Sequence, residues 1–252
     1  MPKRFMLPPA LIGAASALVG AALLLPAPAS AAVIQIGQTK TPISAPSCPK
    51  GTSASNCNIV LERTTAVQSK SDGVANPAVI KHDGWIVAFT VGLSRLSSNA
   101  KTVHKLLHGL DSSYGGTPRL QLTVLKPGAK GNYTVQAQSG QYHLIPFLGK
   151  VLTEPLSLPN KFSTFTALRV KRGDVLALTV PTWAPILTYN LTASKFAYLQ
   201  SRSADCTRPA GGQTAQMKVG SSKRYGCSYT GTRVQYSATE VTNVPYPKHY
   251  PH

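Results

Sequence analysis

Residues 162–185, FSTFTALRVKRGDVLALTVPTWAP, decide how the chain is read. The stretch divides into two strand-like runs around Arg172-Gly173-Asp174. Gly173 supplies the positive φ of a tight turn, and Asp174 can bond its own backbone there. The second run, Val175 to Val180, is apolar at every position but Thr179, which predicts a central strand covered on both faces. It is expected to end at Pro181-Thr182-Trp183-Ala184-Pro185, because each proline removes a ladder donor. The simplest arrangement of the two runs is a β-hairpin.

Outward from this stretch, the same two-residue rhythm recurs. Arg119 to Lys126 alternates, with Leu120, Leu122 and Val124 inward and Arg119, Gln121 and Thr123 outward; Pro127-Gly128 turns it, and Asn132 to Gln138 returns with Tyr133, Val135 and Ala137 inward. Pro77 to His82 leads into Asp83-Gly84, a second hairpin signal, and Trp85, Val87, Phe89 and Val91 should share one face. Shorter strands are expected at Val33–Ile36, Asn58–Gln68, Lys150–Leu156, within Thr188–Ser201, and at Thr230–Thr239. Ala100 to Leu110 breaks the rhythm: Val103, Leu106, Leu107 and Leu110 recur at helical spacing, so one or two helical turns interrupt the strands. No period of twenty to fifty residues repeats, which excludes solenoids and propellers. About nine or ten short strands imply an all-β fold, a two-sheet antiparallel β-sandwich of jelly-roll type with one short helical insertion.

The amino terminus reads as an export signal. Met1-Pro2-Lys3-Arg4 is a basic head, an apolar run extends from about Ala10 to Leu25, and Ala29 and Ala31 stand at signal-peptidase spacing, so cleavage is expected before Ala32. The division that follows is a leader at 1–31, a lead-in at 32–47, one sandwich domain at 48–240, and a loose tail at 241–252, with no membrane span after cleavage. The four cysteines then read as two disulfides, sequence proximity favouring Cys48 with Cys57 and Cys206 with Cys227. The formal net charge is +18, from 26 lysines and arginines against only 8 acids. Such a surface attracts anionic polysaccharide, wall polymer, phospholipid or nucleic acid in a salt-dependent way. No recognised nucleic-acid module is present, which leaves the charge without sequence-specific readout.

The export signal, the early cysteine pair, the strand at 171–185, and a carboxy-terminal Tyr225-Gly226-Cys227 followed by TRVQYSAT (232–239) together resemble secreted bacterial sandwich proteins with no assigned activity. That resemblance implies the fold and the compartment, and no catalytic residue. More distantly the layout is similar to lectin-like and carbohydrate-binding modules, a likeness of fold alone.

Catalytic motifs are thin. His104 and His108 have the i, i+4 spacing of a helical zinc site, but Lys105 stands where a zincin needs its glutamate base. No nucleophile elbow, phosphate loop or dinucleotide glycine pattern occurs, and no cofactor is expected. A glycosidase would have to pair two of Glu62, Glu154 and Glu240. The alternative to a non-catalytic module is a polysaccharide lyase, for which Gln141-Tyr142-His143 has a slight likeness to the Gln-x-His element of alginate-type lyases, without their Arg-x-Glu or Tyr-x-Lys-x-Gly-x-Tyr strands. The favoured function is binding. Trp183, between two prolines, is either a loop-exposed stacking platform or a plug at the sandwich rim, and Trp85 is expected in the core. The loop after Arg202 gathers Arg202, Arg208, Lys218, Lys223, Arg224, Tyr225 and Tyr229 against one acid, Asp205. From it Arg202, Arg208, Arg224 and Tyr225 join Trp183 as candidate ligand contacts for a glycan or anionic polymer.

Overall fold

The computed structural model describes residues 31–48, 59–157, 166–207 and 212–242. The expected leader up to residue 30, Cys57, Phe162, Arg208 and the expected tail from residue 243 onward lie outside the described residues.

Among the described residues the chain is all-β and antiparallel, with a single α-helix. In chain order the elements are β1 (Ala32–Ile36), β2 (Leu61–Ser71), β3 (Val74–Ala75), β4 (Gly84–Gly92), α1 (Ala100–Tyr114), β5 (Arg119–Pro127), β6 (Asn132–Gln138), β7 (Tyr142–His143) and β8 (Val151–Pro155). They continue with β9 (Leu168–Val170), β10 (Val175–Ala184), β11 (Leu187–Thr188), β12 (Ala197–Gln200), β13 (Ser222–Arg224), β14 (Cys227–Thr230), β15 (Arg233–Val234) and β16 (Tyr236–Thr242). The smaller sheet has the order β1-β16-β4-β8, with β9 also on β4; the larger runs β13-β6-β5-β10-β2-β12-β14, with β3 beside β2 and β7 beside β5. The strands β11 and β15 make a separate two-stranded ribbon. One apolar core takes Phe89 and Val91 from β4, Tyr236 and Ala238 from β16, Leu120 and Leu122 from β5, and Leu176 and Leu178 from β10. Burying such side chains is the main favourable term in holding the two sheets together.

The expected β5–β6 hairpin is present, Lys126 facing Thr134 and Val124 facing Ala137. The expected hairpin at Arg172-Gly173-Asp174 is not. Gly173 does take φ +93° in a turn, and Asp174 accepts the Lys171 amide at 2.8 Å. But β9 pairs with β4 in the smaller sheet, while β10 pairs with β5 and β2 in the larger one. The turn therefore carries the chain from one layer to the other. Alternation along a strand says which face is buried, not which strand lies alongside.

Other expectations change for local reasons. Asp83-Gly84 is no hairpin: Val79 only bridges to Val175, and the Asp83 carboxylate instead accepts the Arg172 amide at 2.8 Å. The β4–β16 register shifts between Thr239 and Glu240, so Val87 has no partner of its own and Ile86, rather than Val87, joins Phe89 and Val91 in the core. β10 does not stop at Pro181 but runs to Ala184, because its register against β2 shifts between Val180 and Trp183, where a missing amide N–H costs no ladder bond. The opposing Arg63 takes φ +42° at this bulge. The lead-in is woven into the sandwich: β1 pairs with β16, Asp72 accepts hydrogen bonds from Thr39 and Thr41, and buried Arg233 donates to the Thr41 carbonyl at 2.8 Å. At the other limit of the domain, β16 reaches Thr242, two residues into the expected tail.

Where β2 and β10 separate, two positions beyond the pair Ala66 and Leu178, Gln68 and Leu176 would face each other. The Tyr236 hydroxyl fills that gap from the opposite sheet, accepting from the Gln68 amide at 3.1 Å and donating to the Leu176 carbonyl at 2.9 Å. One phenol thus satisfies two buried backbone groups and ties the layers together.

Candidate functional site

The residues singled out in the sequence do not converge on one site. Trp183 is 0 % exposed. It faces Glu62 across the β10–β2 ladder, packs with Ile59, Leu96 and the Leu106, Leu107 and Leu110 face of α1, and its indole N–H donates to Asp111 at 2.9 Å. It is the rim plug, and no ring face is presented to a ligand. The helix that covers it is longer than the sequence suggests: Asn99 caps it by accepting the Thr102 amide, and Gly115, at φ +81°, closes it.

Tyr225 is also buried. Its hydroxyl donates to Gln216 at 2.7 Å and its ring lies 4.7 Å from that of Tyr133. Residues 212–225 cover the outer face of the larger sheet, where Thr65, Thr179 and Thr123 are linked hydroxyl to hydroxyl at 2.9 and 2.7 Å. Gln216 closes this row from above, its amide donating to Thr65 at 2.9 Å. Alternation marks Thr123 as outward from the core; the loop above buries it together with Thr65 and Thr179. Much of the predicted binding loop is therefore a lid that satisfies a polar sheet face. Its disulfide, Cys206–Cys227, is formed with a Cα separation of 5.3 Å, and Cys48 is also disulfide-bonded.

Arg224 is exposed on β13, opposite Asn132, next to the turn that carries exposed Lys130. Arg202 is elsewhere, clamped rather than free: its guanidinium donates to the Tyr229 hydroxyl at 2.6 Å and to the Cys206 carbonyl at 3.2 Å, while Tyr229 itself donates to that carbonyl at 2.8 Å. The Tyr229 ring stacks on Tyr198 with centroids 5.0 Å apart.

Sequence reasoning named the residue at the centre of this second group only as one of three glutamates a glycosidase could pair, and missed its setting. Glu62, half-buried on β2, titrates at about 7. Burial raises it, and the charges of Arg202 and then Arg63 hold it back from rising further. The Arg63 guanidinium lies 5.5 Å from the ring centre of Tyr114, whose hydroxyl is pushed up by burial and then by Glu62. Glu62 and Arg202 are 140 positions apart, and only the β2–β12 pairing brings them together. A carboxyl poised at neutrality beside two cations and several phenols can exchange a proton or accept a hydrogen bond from a polar ligand.

The other candidate chemistry is dispersed. Glu154 lies on β8, and Glu240 lies by Gly84, at the Asp174 end of β10, whereas Glu62 is at the Trp183 end. A ten-residue strand separates the two ends by roughly 30 Å. Glu62 and Glu240 therefore do not face one bond. Tyr142 is buried edge-on to Phe89 with ring centres 5.0 Å apart, while its neighbour His143 is exposed, so the two point to opposite faces of β7 and do not line a common groove. His104 and His108 are both exposed on α1, and among the described residues no three metal-ligating side chains cluster. Nor, among these residues, is any helix long and apolar enough to cross a membrane.

No protein-family model, no curated protein and no solved structure matches the chain.

Proposed function

We propose that the protein is an exported, disulfide-bonded binding or structural module of the cell surface, retained there by acidic glycans or wall polymers rather than acting on them. One observation supports this above others. Of the eight acids, only Asp83 and Asp205 are exposed; the rest are buried or half-buried, and Asp72 and Asp111 are occupied by Thr39, Thr41 and Trp183. Most of the described lysines and arginines are exposed, Lys81, Lys126, Lys171 and Arg224 among them, while Arg233 is buried. The surface met by a polyanion is thus more one-signed than the net charge of +18 conveys. Binding of that kind draws on released counterions and weakens steeply with salt.

The test is retention of the purified protein on immobilised acidic polysaccharide and on isolated wall polymer. Retention at low salt with elution at high salt is expected; passage through both matrices at low salt overturns the proposal.

A further inference from the structure

The turn from Met217 to Ser221 presents apolar side chains to water. Met217 is 37 % and Val219 55 % exposed, on either side of exposed Lys218. The exposure is built in. Both the amide and the hydroxyl of Ser221 donate to the Lys218 carbonyl, at 3.1 and 2.6 Å, and the Gly220 amide donates to Val135 at 2.9 Å. Gly220 takes φ +83°, which other residues rarely adopt. Just before the turn, buried Gln216 donates to the carbonyls of Tyr133 and Ser221. Folding Met217 and Val219 back onto the sheet would break these bonds.

Cations flank the turn. β13 leads from it to exposed Arg224, and the Tyr225 amide, bound to the Gly131 carbonyl at 2.9 Å, places exposed Lys130 alongside. Lys218 stands on the turn, and Arg224 and Lys130 stand at the far end of the three-residue strand β13, so the cations line one edge of the sheet. The two exposed acids, Asp83 and Asp205, lie on none of these elements. Single exposed apolar residues are ordinary. Two on one fixed turn, with a cation between them and more along the adjoining edge, match the requirements of an interfacial anchor.

We infer that the Met217–Ser221 turn docks the protein on an anionic lipid surface, Lys218, Lys130 and Arg224 meeting the headgroups while Val219 and Met217 enter the acyl boundary. A hydrated polysaccharide satisfies the cations but offers the two apolar side chains nothing; a bilayer with anionic lipid satisfies both. The inference goes beyond retention by a polymer, which requires charge alone.

Co-sedimentation of the purified full chain with vesicles tests it. Binding is expected at low salt to vesicles of phosphatidylcholine mixed with phosphatidylglycerol, and not to phosphatidylcholine alone. The double variant M217S/V219S should melt where the parent melts and stay on the acidic-polysaccharide matrix, yet bind mixed vesicles about tenfold more weakly or worse. Val219→Trp should add blue-shifted emission over the parent when mixed vesicles are supplied. The inference is overturned if the parent ignores mixed vesicles, or if M217S/V219S binds them as tightly as the parent does. Vesicle binding without retention on the polysaccharide matrix supports the inference and sinks the polymer proposal alone.

Discussion

At the Trp183 end of β10, Glu62 sits half-buried between Arg63 and Arg202, with phenols around it. At the other end of the sandwich, Glu240 is 0 % exposed on β16, between Ile34 of β1 and Ile86 of β4, and neither carboxyl oxygen has a hydrogen-bond partner among the described residues. Both carboxyls titrate above the ordinary range, Glu62 at about 7 and Glu240 at about 6. Burial is the first cause in each case. At Glu62 two cations then oppose it, whereas at Glu240 the Asp83 charge adds to it. Glu62 is thus a half-buried group whose rise two cations hold in check. Glu240 is a destabilising group, protonated below about pH 6 and carried at a cost once it ionises above that.

The largest effect that would sharpen this contrast comes from the wall around Glu240. A Cβ on Gly84 would stand 2.6 Å from the Val241 carbonyl and 3.0 Å from a Glu240 oxygen, so strand backbone must move to admit it. Gly84→Ala is expected to destabilise by about 3 kcal/mol in denaturant titration. A loss below about 1 kcal/mol would mean that the pocket is looser than its contacts indicate.

Next is the response to pH. Each glutamate binds its proton more tightly folded than unfolded, where it titrates near 4.5. Their contribution is fully present below pH 4.5 and is lost as pH rises through about 6 for Glu240 and about 7 for Glu62. Asp72 behaves oppositely. Burial raises it, but the hydrogen bonds from Thr39 and Thr41 and the Arg233 charge outweigh this and hold it near 2, so its contribution is lost as pH falls from 3.8 to about 2. Stability should therefore peak on the acid side, around pH 4, despite the strongly basic composition. Glu240→Met should gain about 2 kcal/mol at pH 8 and nothing below pH 4.5, flattening the alkaline limb. An unchanged limb in that variant would refute the account of Glu240.

At the opposite end, Trp183→Phe keeps the plug but removes the indole donor from Asp111. Its expected cost is about 1–2 kcal/mol, seen as a lower melting temperature. No effect would show that Asp111 finds another donor as readily.

How much of this could be read from the chain differs between the two ends. β5–β6 was legible because its alternation, turn residues and pairing are all local. The layer change at Gly173 was not, since Leu168–Val170 carries the same pattern whether its neighbour is β10 or β4. Trp183 stood out by residue type, but whether it is covered depends on α1, whose contact with β10 no local pattern announces. Thr123 read as outward because period-two patterning cannot see a loop that returns over it, whereas the apolar run Val175–Val180 announced that Thr179 would be covered. Glu62 was legible only as one of three glutamates a glycosidase could pair: an acid in a strand is usually a solvated one, and what distinguishes this one arrives from Arg202, on a segment far along the sequence.

The smallest expected effect bears most directly on why the two glutamates differ. Arg202 acts on Glu62 through its charge, and its clamp on Tyr229 and Cys206 keeps that charge in place. Arg202→Gln retains side-chain hydrogen-bonding capacity toward that pair while removing the cation. With the opposing field weakened, burial should carry Glu62 further up, by up to about one pH unit, since Arg63 still contributes. Carbon-13 titration of glutamate carboxyls reads this directly, with Glu240, at the far end of β10, as the internal control that should not move. If Glu62 stays at about 7 when Arg202 loses its charge, the arginines are bystanders and burial alone sets both groups. If it rises while Glu240 holds, the cations that lie over β2 are what separate a carboxyl poised for exchange with solvent from one that is merely endured.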